Sequence, residues 1–255
     1  MRVALGAMAC VLWLAAGATS VAEQDPGGAA VPSAQASAPV DLTGTWVSIV
    51  NEDWRWRMIT PPRGDFPGVP LNPAGQAAAM AWDPATDGSC LAYGAAALLR
   101  MPTHVRISWE NQDTLKLETD NGQQIRLLHF GGAAAQEPPS LQGHSAATWR
   151  RTLPASNPFG ISAPGGPPAG PGGGLDVETT NLRAAWLRRN GVPSSENAVV
   201  TEHFDRFPGP DGSEWLIVTS IVEDPTYLAT RFINSSQFRL ASDDSGWNPT
   251  PCRAP

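Results

Sequence analysis

The sequence is poor in features that several functional classes require. Lysine occurs once, at Lys116, and the 17 basic residues are outnumbered by 24 acidic ones, which gives a net charge of −7. Nucleic-acid-binding proteins usually carry a basic patch, so this composition argues against a nucleic-acid partner. Long apolar runs are lacking beyond the N-terminal residues, which excludes a multi-span membrane protein.

The N-terminal residues are ordered like a secretory signal. Arg2 precedes an apolar run over residues 3–18, and the Ser-Val-Ala of residues 20–22 fits a signal-peptidase site. Because the run is shorter than the roughly 20 apolar residues of a spanning helix, we expect cleavage after residue 22. The mature protein is then secreted or periplasmic and has no membrane span. An uncleaved anchor is the alternative.

Cysteine is scarce, and removal of the signal leaves Cys90 and Cys252. Two cysteines in an exported protein favour one disulfide, and two free buried thiols are the alternative. No CxxC pair or Cys/His cluster has the spacing of a zinc site, so we expect neither a metal nor a cofactor.

Glycine and proline are plentiful instead, at 25 residues each, and two segments are rich in them. Residues 23–40 lack aromatic side chains and periodicity, which predicts a flexible linker. Residues 154–174 hold too little apolar surface to become ordered, which predicts a disordered loop. A single domain is predicted over residues 41–255.

Alternating polar and apolar residues predict strands through most of this domain. The clearest pattern is a meander over residues 103–130, with a hairpin signal at Asp120-Asn121-Gly122. Further strands are predicted at residues 42–49, 143–153, 175–182, 198–207, 214–223 and 229–240, and short helices at 71–82 and 183–191. About eight to ten strands favour a closed or nearly closed antiparallel barrel, whose interior suits one small ligand.

Two resemblances bear on the fold. Gly44-Thr45-Trp46 is similar to the Gly-x-Trp opening of lipocalin-like barrels. Longer segments resemble a family of exported bacterial β-rich proteins of unassigned function: EDWRWRM (52–58), SLQGHS (140–145), RNGVP (189–193), IVEDPTYL (221–228) and WNPTPC (247–252). These resemblances imply export and a mainly β, lipocalin-like (calycin-like) barrel, and they carry over no catalytic residue.

The first candidate site is the segment EDWRWR. Glu52 and Asp53 are candidates for an acid and a base, because neighbouring carboxylates in different environments take different pKa values. Arg55 is a candidate anion clamp, and Trp54 and Trp56 are candidates for covering a ligand ring. As a strand, this segment places Glu52 and both tryptophans on one face. The alternative is a salt-bridged rim segment with two core tryptophans.

Two histidines are candidate proton-transfer groups. His144 lies beside Ser145, but the strand pattern that follows does not fit a nucleophile elbow, so His144 is favoured over a serine nucleophile. His203 and Asp205 share one face of a predicted strand, with Glu202 on the other, and form a candidate oriented base. Cross-strand charge pairs on an exposed surface are the alternative.

Two further candidates involve a tyrosine and clustered arginines. Tyr227 follows a strand in IVEDPTYL and is a candidate acid, with a packed turn as the alternative. Arg183, together with Asn181, Arg188 and Arg189, is a candidate holder of a carboxylate or phenolate. A solvated helix face is the alternative for the arginine pair.

The remaining tryptophans complete the predicted site, since Trp46, Trp109 and Trp149 are expected to line the barrel interior. We therefore expect an exported monomeric β-barrel that binds a small, partly apolar or aromatic molecule. We also expect it to act on this molecule as a metal-independent acid/base enzyme, either a lyase, an isomerase or a hydrolase. One alternative is a ligand-binding protein without chemistry. The other is a structural envelope protein whose tryptophans are all core residues.

Overall fold

The computed structural model describes residues 31–85, 90–132, 137–152 and 172–253. The predicted signal, residues 23–30 of the predicted linker and residues 154–171 of the predicted loop lie outside this part. Within the described residues, no helix is both long and apolar enough to cross a membrane.

The fold is mainly β, as predicted, and nine strands close a barrel. The strands are β1 (Gly44–Ile49), β2 (His104–Asn111), β3 (Thr114–Thr119), β4 (Asn121–Gly122), β5 (Ile125–His129), β6 (His144–Thr152), β7 (Gly172–Thr180), β8 (Ala185–Arg188), β9 (Val192–Ser194), β10 (Val199–Pro208), β11 (Glu214–Glu223), β12 (Phe232–Leu240) and β13 (Thr250–Pro251). The order round the barrel is β1-β12-β11-β10-β7-β6-β5-β3-β2. An odd number of strands cannot alternate in direction all the way round, so one neighbouring pair must be parallel. That pair is β5 and β6.

Alternate residues of the strands fill the barrel interior. Trp46, Phe204 and Phe238 are at most 1 % exposed and lie in one apolar cluster. A buried ion pair between Arg126 and Glu202 lies inside the same barrel, with the Arg126 Nη2 to Glu202 Oε2 distance at 2.6 Å. Trp46 was expected to line a ligand site, but it is a core residue because its side chain points inward from β1. The barrel interior is therefore packed with side chains.

One end of the barrel is crossed by the segment that precedes β1. The backbone N–H of Ala34 donates to Asp113 at 2.7 Å, and Trp149 Nε1 donates to the carbonyl of Ala34 at 2.8 Å. Arg151 donates to the carbonyl of Ser37 at 2.7 Å. The predicted flexible linker thus differs from the structure over these residues, because long-range hydrogen bonds fix a segment that has no local pattern.

The other end, here called the helical end, carries the helices α1 (Trp54–Arg57), α2 (Pro73–Ala81) and α3 (Ala95–Leu98). The predicted helix α2 is confirmed, and the Asn72 side chain caps it by accepting from Gly75 N at 2.9 Å. A second apolar cluster packs α2 and α3 against the strand ends and includes the fully buried Ala79, Val200 and Val222.

Three local predictions were wrong. EDWRWR was interpreted as a strand, but its last four residues form α1. Residues 183–191 were expected as a helix, but they contain β8, which pairs with β9 and turns at Gly191 with φ +75°. The glycine is therefore part of a hairpin turn and not a helix stop. Gly172, Gly173 and Gly174 of the predicted loop belong to β7 and pair with β6.

The predicted disulfide is present between Cys90 and Cys252, with 5.5 Å between the Cα atoms. Close to it, β13 pairs in parallel with β4. The C-terminal residues are thereby held against the turn that follows β3.

Candidate functional site

The helical end contains a cleft of about 320 Å³, here called the arginine cleft. Its lining includes Glu52, Asp53, Trp56, Arg100, Arg188 and Phe232. α1 and the segment after it form one wall, and the start of β12 forms another. The cleft brings Glu52, Asp53 and Trp56 of the first predicted site together with Arg188 of the predicted arginine pair, although they are far apart in the sequence.

Two buried guanidinium groups, those of Arg100 and Arg188, line this cleft, and that of Arg57 lines a small cavity beside it. Arg57, Arg100 and Arg188 are exposed by only 2 %, 7 % and 5 %. Arg57 Nε donates to the carbonyl of Arg100 at 2.9 Å, and Arg188 Nη2 donates to the carbonyl of Pro67 at 2.9 Å. Nη1 and Nη2 of Arg57 and Nε and Nη1 of Arg188 are buried without a hydrogen-bond partner among the described residues.

The carboxylates of this region do not balance the arginines. Arg100 pairs with Asp53 at 2.8 Å, and Arg55 pairs with Asp65 at 2.5 Å. Arg57 and Arg188 form no ion pair in the described part of the chain. Burial first, and then the charge of Arg100, lower the pKa of both Arg57 and Arg188 to about 10. These groups therefore pay a desolvation cost that a bound anion would offset.

Trp56 supplies the aromatic surface of the cleft. The guanidinium carbon of Arg55 lies 4.7 Å from its ring centroid, and that of Arg188 lies 5.0 Å away. Such contacts hold a planar cation over the ring face. Trp54, which was predicted to share a ligand-facing surface with Trp56, is 64 % exposed. In a helix, residues two positions apart point in different directions.

The predicted proton-transfer groups do not meet in one place. Glu52 and Asp53 line the arginine cleft, whereas His144 begins β6 and stacks on His129 with 5.2 Å between ring centroids. Tyr227 lies in the turn after β11, where its carbonyl accepts from Asn72 N at 3.0 Å. This placement matches the alternative of a packed turn.

His203 lies on the outer face of the barrel, as the strand pattern predicted. Its Nδ1 is 2.7 Å from Asp176, and the same carboxylate accepts from Arg150 at 2.5 Å. Arg150 also donates to Asp205. This cluster joins three neighbouring strands, β6, β7 and β10, and corresponds to cross-strand charge pairs.

The other predicted ligand residues are dispersed. Trp109 and Trp149 pack with Phe130 at the end opposite the helices, with 5.9 Å and 5.1 Å between their centroids and that of Phe130. They line a separate cleft of about 410 Å³ beneath the segment that precedes β1. Arg183 is exposed in the turn before β8.

A larger cleft of about 630 Å³, here called the histidine cleft, lies on the helical end near the disulfide. Its lining includes Tyr93, His104, Asp120, Arg189, Asn248 and Arg253. His104 Nδ1 is 2.7 Å from Asp120 Oδ2, so a buried carboxylate orients this ring. The arginine cleft and the histidine cleft share no lining residue.

The sequence patterns missed several of these residues. Arg100 follows an Ala-rich stretch, and nothing local marks it as part of a site. Asp120 was interpreted as a turn residue, and His104 as the polar start of a strand. Only the pairing of β2 with β3 brings these two side chains together.

Comparison with protein-family models, with curated proteins and with solved structures found no match to this chain. The resemblance to exported bacterial proteins therefore stays a prediction. Within the described residues, no group of three or more His, Cys, Asp or Glu side chains is placed to hold a metal ion.

Proposed function

We propose that this protein binds a small organic anion in the arginine cleft. The observation that carries the proposal is that Nε and Nη1 of Arg188, which lines this cleft, are buried without a hydrogen-bond partner among the described residues. An uncompensated buried charge costs several kcal/mol, about 3–5 when one partner of a buried pair is missing. A carboxylate or phosphate accepts two parallel hydrogen bonds from a guanidinium group, one at each of two oxygens, and offsets this cost.

The rest of the lining favours an anion with an apolar body. Trp56 and Phe232 line the same cleft as Arg188, so a ring or short alkyl group has a surface to contact. Asn234, which also lines the cleft, has a buried amide whose oxygen and nitrogen lack hydrogen-bond partners within the described part of the chain. An aromatic carboxylate such as benzoate has the chemistry that this surface accommodates.

Binding without chemistry is the function proposed for this cleft. Of the predicted proton-transfer groups, Glu52 and Asp53 line it, and Asp53 is held by the ion pair with Arg100. No histidine and no tyrosine is among the residues that line it. The ligand-binding alternative from the sequence therefore has the stronger support here.

The same proposal includes an exported, lipocalin-like, monomeric protein. Residues 1–22 support export, and so does the disulfide between Cys90 and Cys252. Gly44 begins β1 and Trp46 lies in the barrel core, which supports the lipocalin likeness.

The test is calorimetric and thermal titration of the mature protein with benzoate and with inorganic phosphate. We expect benzoate at 100 times its Kd to stabilise the fold by about 2.7 kcal/mol. Arg188→Met should abolish this effect. Arg231→Met is the matched control, because Arg231 is 65 % exposed and pairs with Glu223 on the surface.

Two outcomes contradict the proposal. One is the absence of stabilisation by either anion at concentrations up to about 10 mM. The other is equal stabilisation of the wild type and the folded Arg188→Met variant.

A further inference from the structure

The histidine cleft contains a dyad that is built differently from the other His–Asp pair. Asp120 Oδ1 accepts from Thr103 Oγ1 at 2.8 Å and from the backbone N–H groups of His104 at 2.8 Å and Asn121 at 2.6 Å. Its Oδ2 accepts from Asn248 N at 3.3 Å and faces His104 Nδ1. These donors are neutral, so the carboxylate keeps its charge for the histidine.

The ionised state of Asp120 follows from these contacts. Burial opposes ionisation, but hydrogen bonds from Thr103, His104 and Asn248 outweigh it, and the pKa of Asp120 lies below its ordinary value. A carboxylate at Nδ1 fixes the tautomer that carries its hydrogen there, which leaves Nε2 as the basic nitrogen.

Nε2 of His104 lies over a glycine. A Cβ atom added to Gly246 would be 2.9 Å from Nε2 and 3.4 Å from Cε1. The side chain of His104 is 25 % exposed and lines the cleft. The missing side chain at position 246 therefore leaves room at the basic edge of the ring.

The walls of the cleft supply positive charge beside this base. Arg189 and Arg253 line it, together with Tyr93. Arg189 donates one hydrogen bond, from Nη2 to the carbonyl of Arg57 at 2.7 Å, and its Nε has no partner among the described residues. Guanidinium groups beside a base stabilise a developing oxyanion.

We propose that His104 is the general base of a hydrolytic site for small carboxylic esters, with Asp120 as its positioning residue. Nε2 takes a proton from water as the water oxygen bonds to the ester carbonyl carbon. The guanidinium groups stabilise the resulting oxyanion. When it collapses, the bond to the alcohol oxygen breaks and His104 returns the proton to the leaving alkoxide. Water is the only co-reactant, and the products are a carboxylic acid and an alcohol.

His203 provides an internal control. Its Nδ1 is also 2.7 Å from an aspartate, Asp176, but Arg150 neutralises that carboxylate at 2.5 Å. The pair lies on the outer face of the barrel, with His203 exposed by 33 %. The two histidines thus match in pairing distance and differ in the environment that general-base catalysis requires.

The test is hydrolysis of p-nitrophenyl acetate by the mature protein, followed through release of p-nitrophenolate. We expect His104→Gln to lower kcat/KM by about 100-fold and His203→Gln to change it by less than about twofold. Gly246→Ala keeps both dyad residues and covers Nε2, so it should lower kcat/KM by about tenfold or more. Its backbone has no positive φ, so alanine is compatible with the fold.

Asp120→Asn tests the positioning role. Loss of the carboxylate should lower kcat with little change in KM, because the amide no longer fixes the tautomer that leaves Nε2 of His104 as the basic nitrogen. Wild-type activity no greater than that of His104→Gln overturns the proposal, and so does an equal loss in His203→Gln. Full activity of Gly246→Ala also overturns it. This site shares no lining residue with the arginine cleft, and Arg231→Met, a surface variant that lines neither cleft, should leave hydrolysis unchanged.

Discussion

The ion pair between Arg126 and Glu202 allows a sharp test of how a charge is tolerated inside the barrel. Both side chains are at most 1 % exposed. Arg126 donates to the two carboxylate oxygens at 3.1 Å and 2.6 Å, and it also donates to Thr179 at 3.0 Å. Glu202→Ala removes the only carboxylate that pairs with Arg126 among the described residues and leaves the guanidinium buried.

The expected loss follows from that burial. Removing one partner of a buried pair costs about 3–5 kcal/mol, out of a total stability of about 5–15 kcal/mol for a domain. With a urea m-value of about 2 kcal/mol/M, the unfolding midpoint should fall by about 2 M. The double variant Arg126→Met with Glu202→Leu removes both charges and should recover most of this loss.

Urea unfolding followed by tryptophan fluorescence measures the stability of Glu202→Ala, of the double variant and of a control. Glu223→Ala is the matched control, because its partner Arg231 is 65 % exposed and surface pairs contribute about 0–1 kcal/mol. The reasoning is refuted if Glu202→Ala costs no more than Glu223→Ala. It is equally refuted if the double variant loses as much stability as Glu202→Ala.

Three further predictions concern the fold. Cys252→Ser should lower the free energy of unfolding by up to about 5 kcal/mol, since the disulfide closes a loop of 162 residues; a loss under about 1 kcal/mol in urea unfolding contradicts this. Because the pKa of Asp120 is lowered in the fold, its contribution to stability is present above its unfolded pKa and is lost as pH falls through the folded value. Asp120→Asn should therefore flatten the acid side of a stability-against-pH curve, and an unchanged curve would be evidence against it. Gly191→Ala should lower the thermal midpoint more than Gly212→Ala, although both glycines have φ near +75°. A Cβ added at position 191 would lie 2.0 Å from the indole ring of Trp82, whereas one added at position 212 would meet nothing within 4 Å.

The barrel strands were predictable because their signal is local. Side chains alternate across a strand, so Val105, Ile107 and Trp109 specify one face without reference to the rest of the chain. The same alternation put Glu202 and His203 on opposite faces of the strand, and in the structure Glu202 is buried and His203 is partly exposed. The cysteine pair was predictable from its number and the expected compartment.

The candidate sites were predictable only in part. The segment EDWRWR and the pair Arg188-Arg189 were singled out by their residue types, and both contribute to clefts at the helical end. Arg100, His104 and Asp120 were not, because their roles arise from neighbours that are distant in the sequence. Trp46 lies in the barrel interior as predicted, but there it packs in the apolar core, since an apolar inward residue serves a packed core as well as a ligand site.

The sequence by itself therefore determined the β-rich class, the residues that share a face on its alternating strands and the covalent link of Cys90 to Cys252. Tertiary structure alone decided that residues 183–191 form a hairpin, because nine residues with mixed periodicity have no preference strong enough to resist packing. It also decided that Arg100 and Arg188 line one cleft and that Arg57 lies beside them. Charge repulsion and desolvation oppose such a cluster, and it persists because the packing of the helical end holds the three segments together.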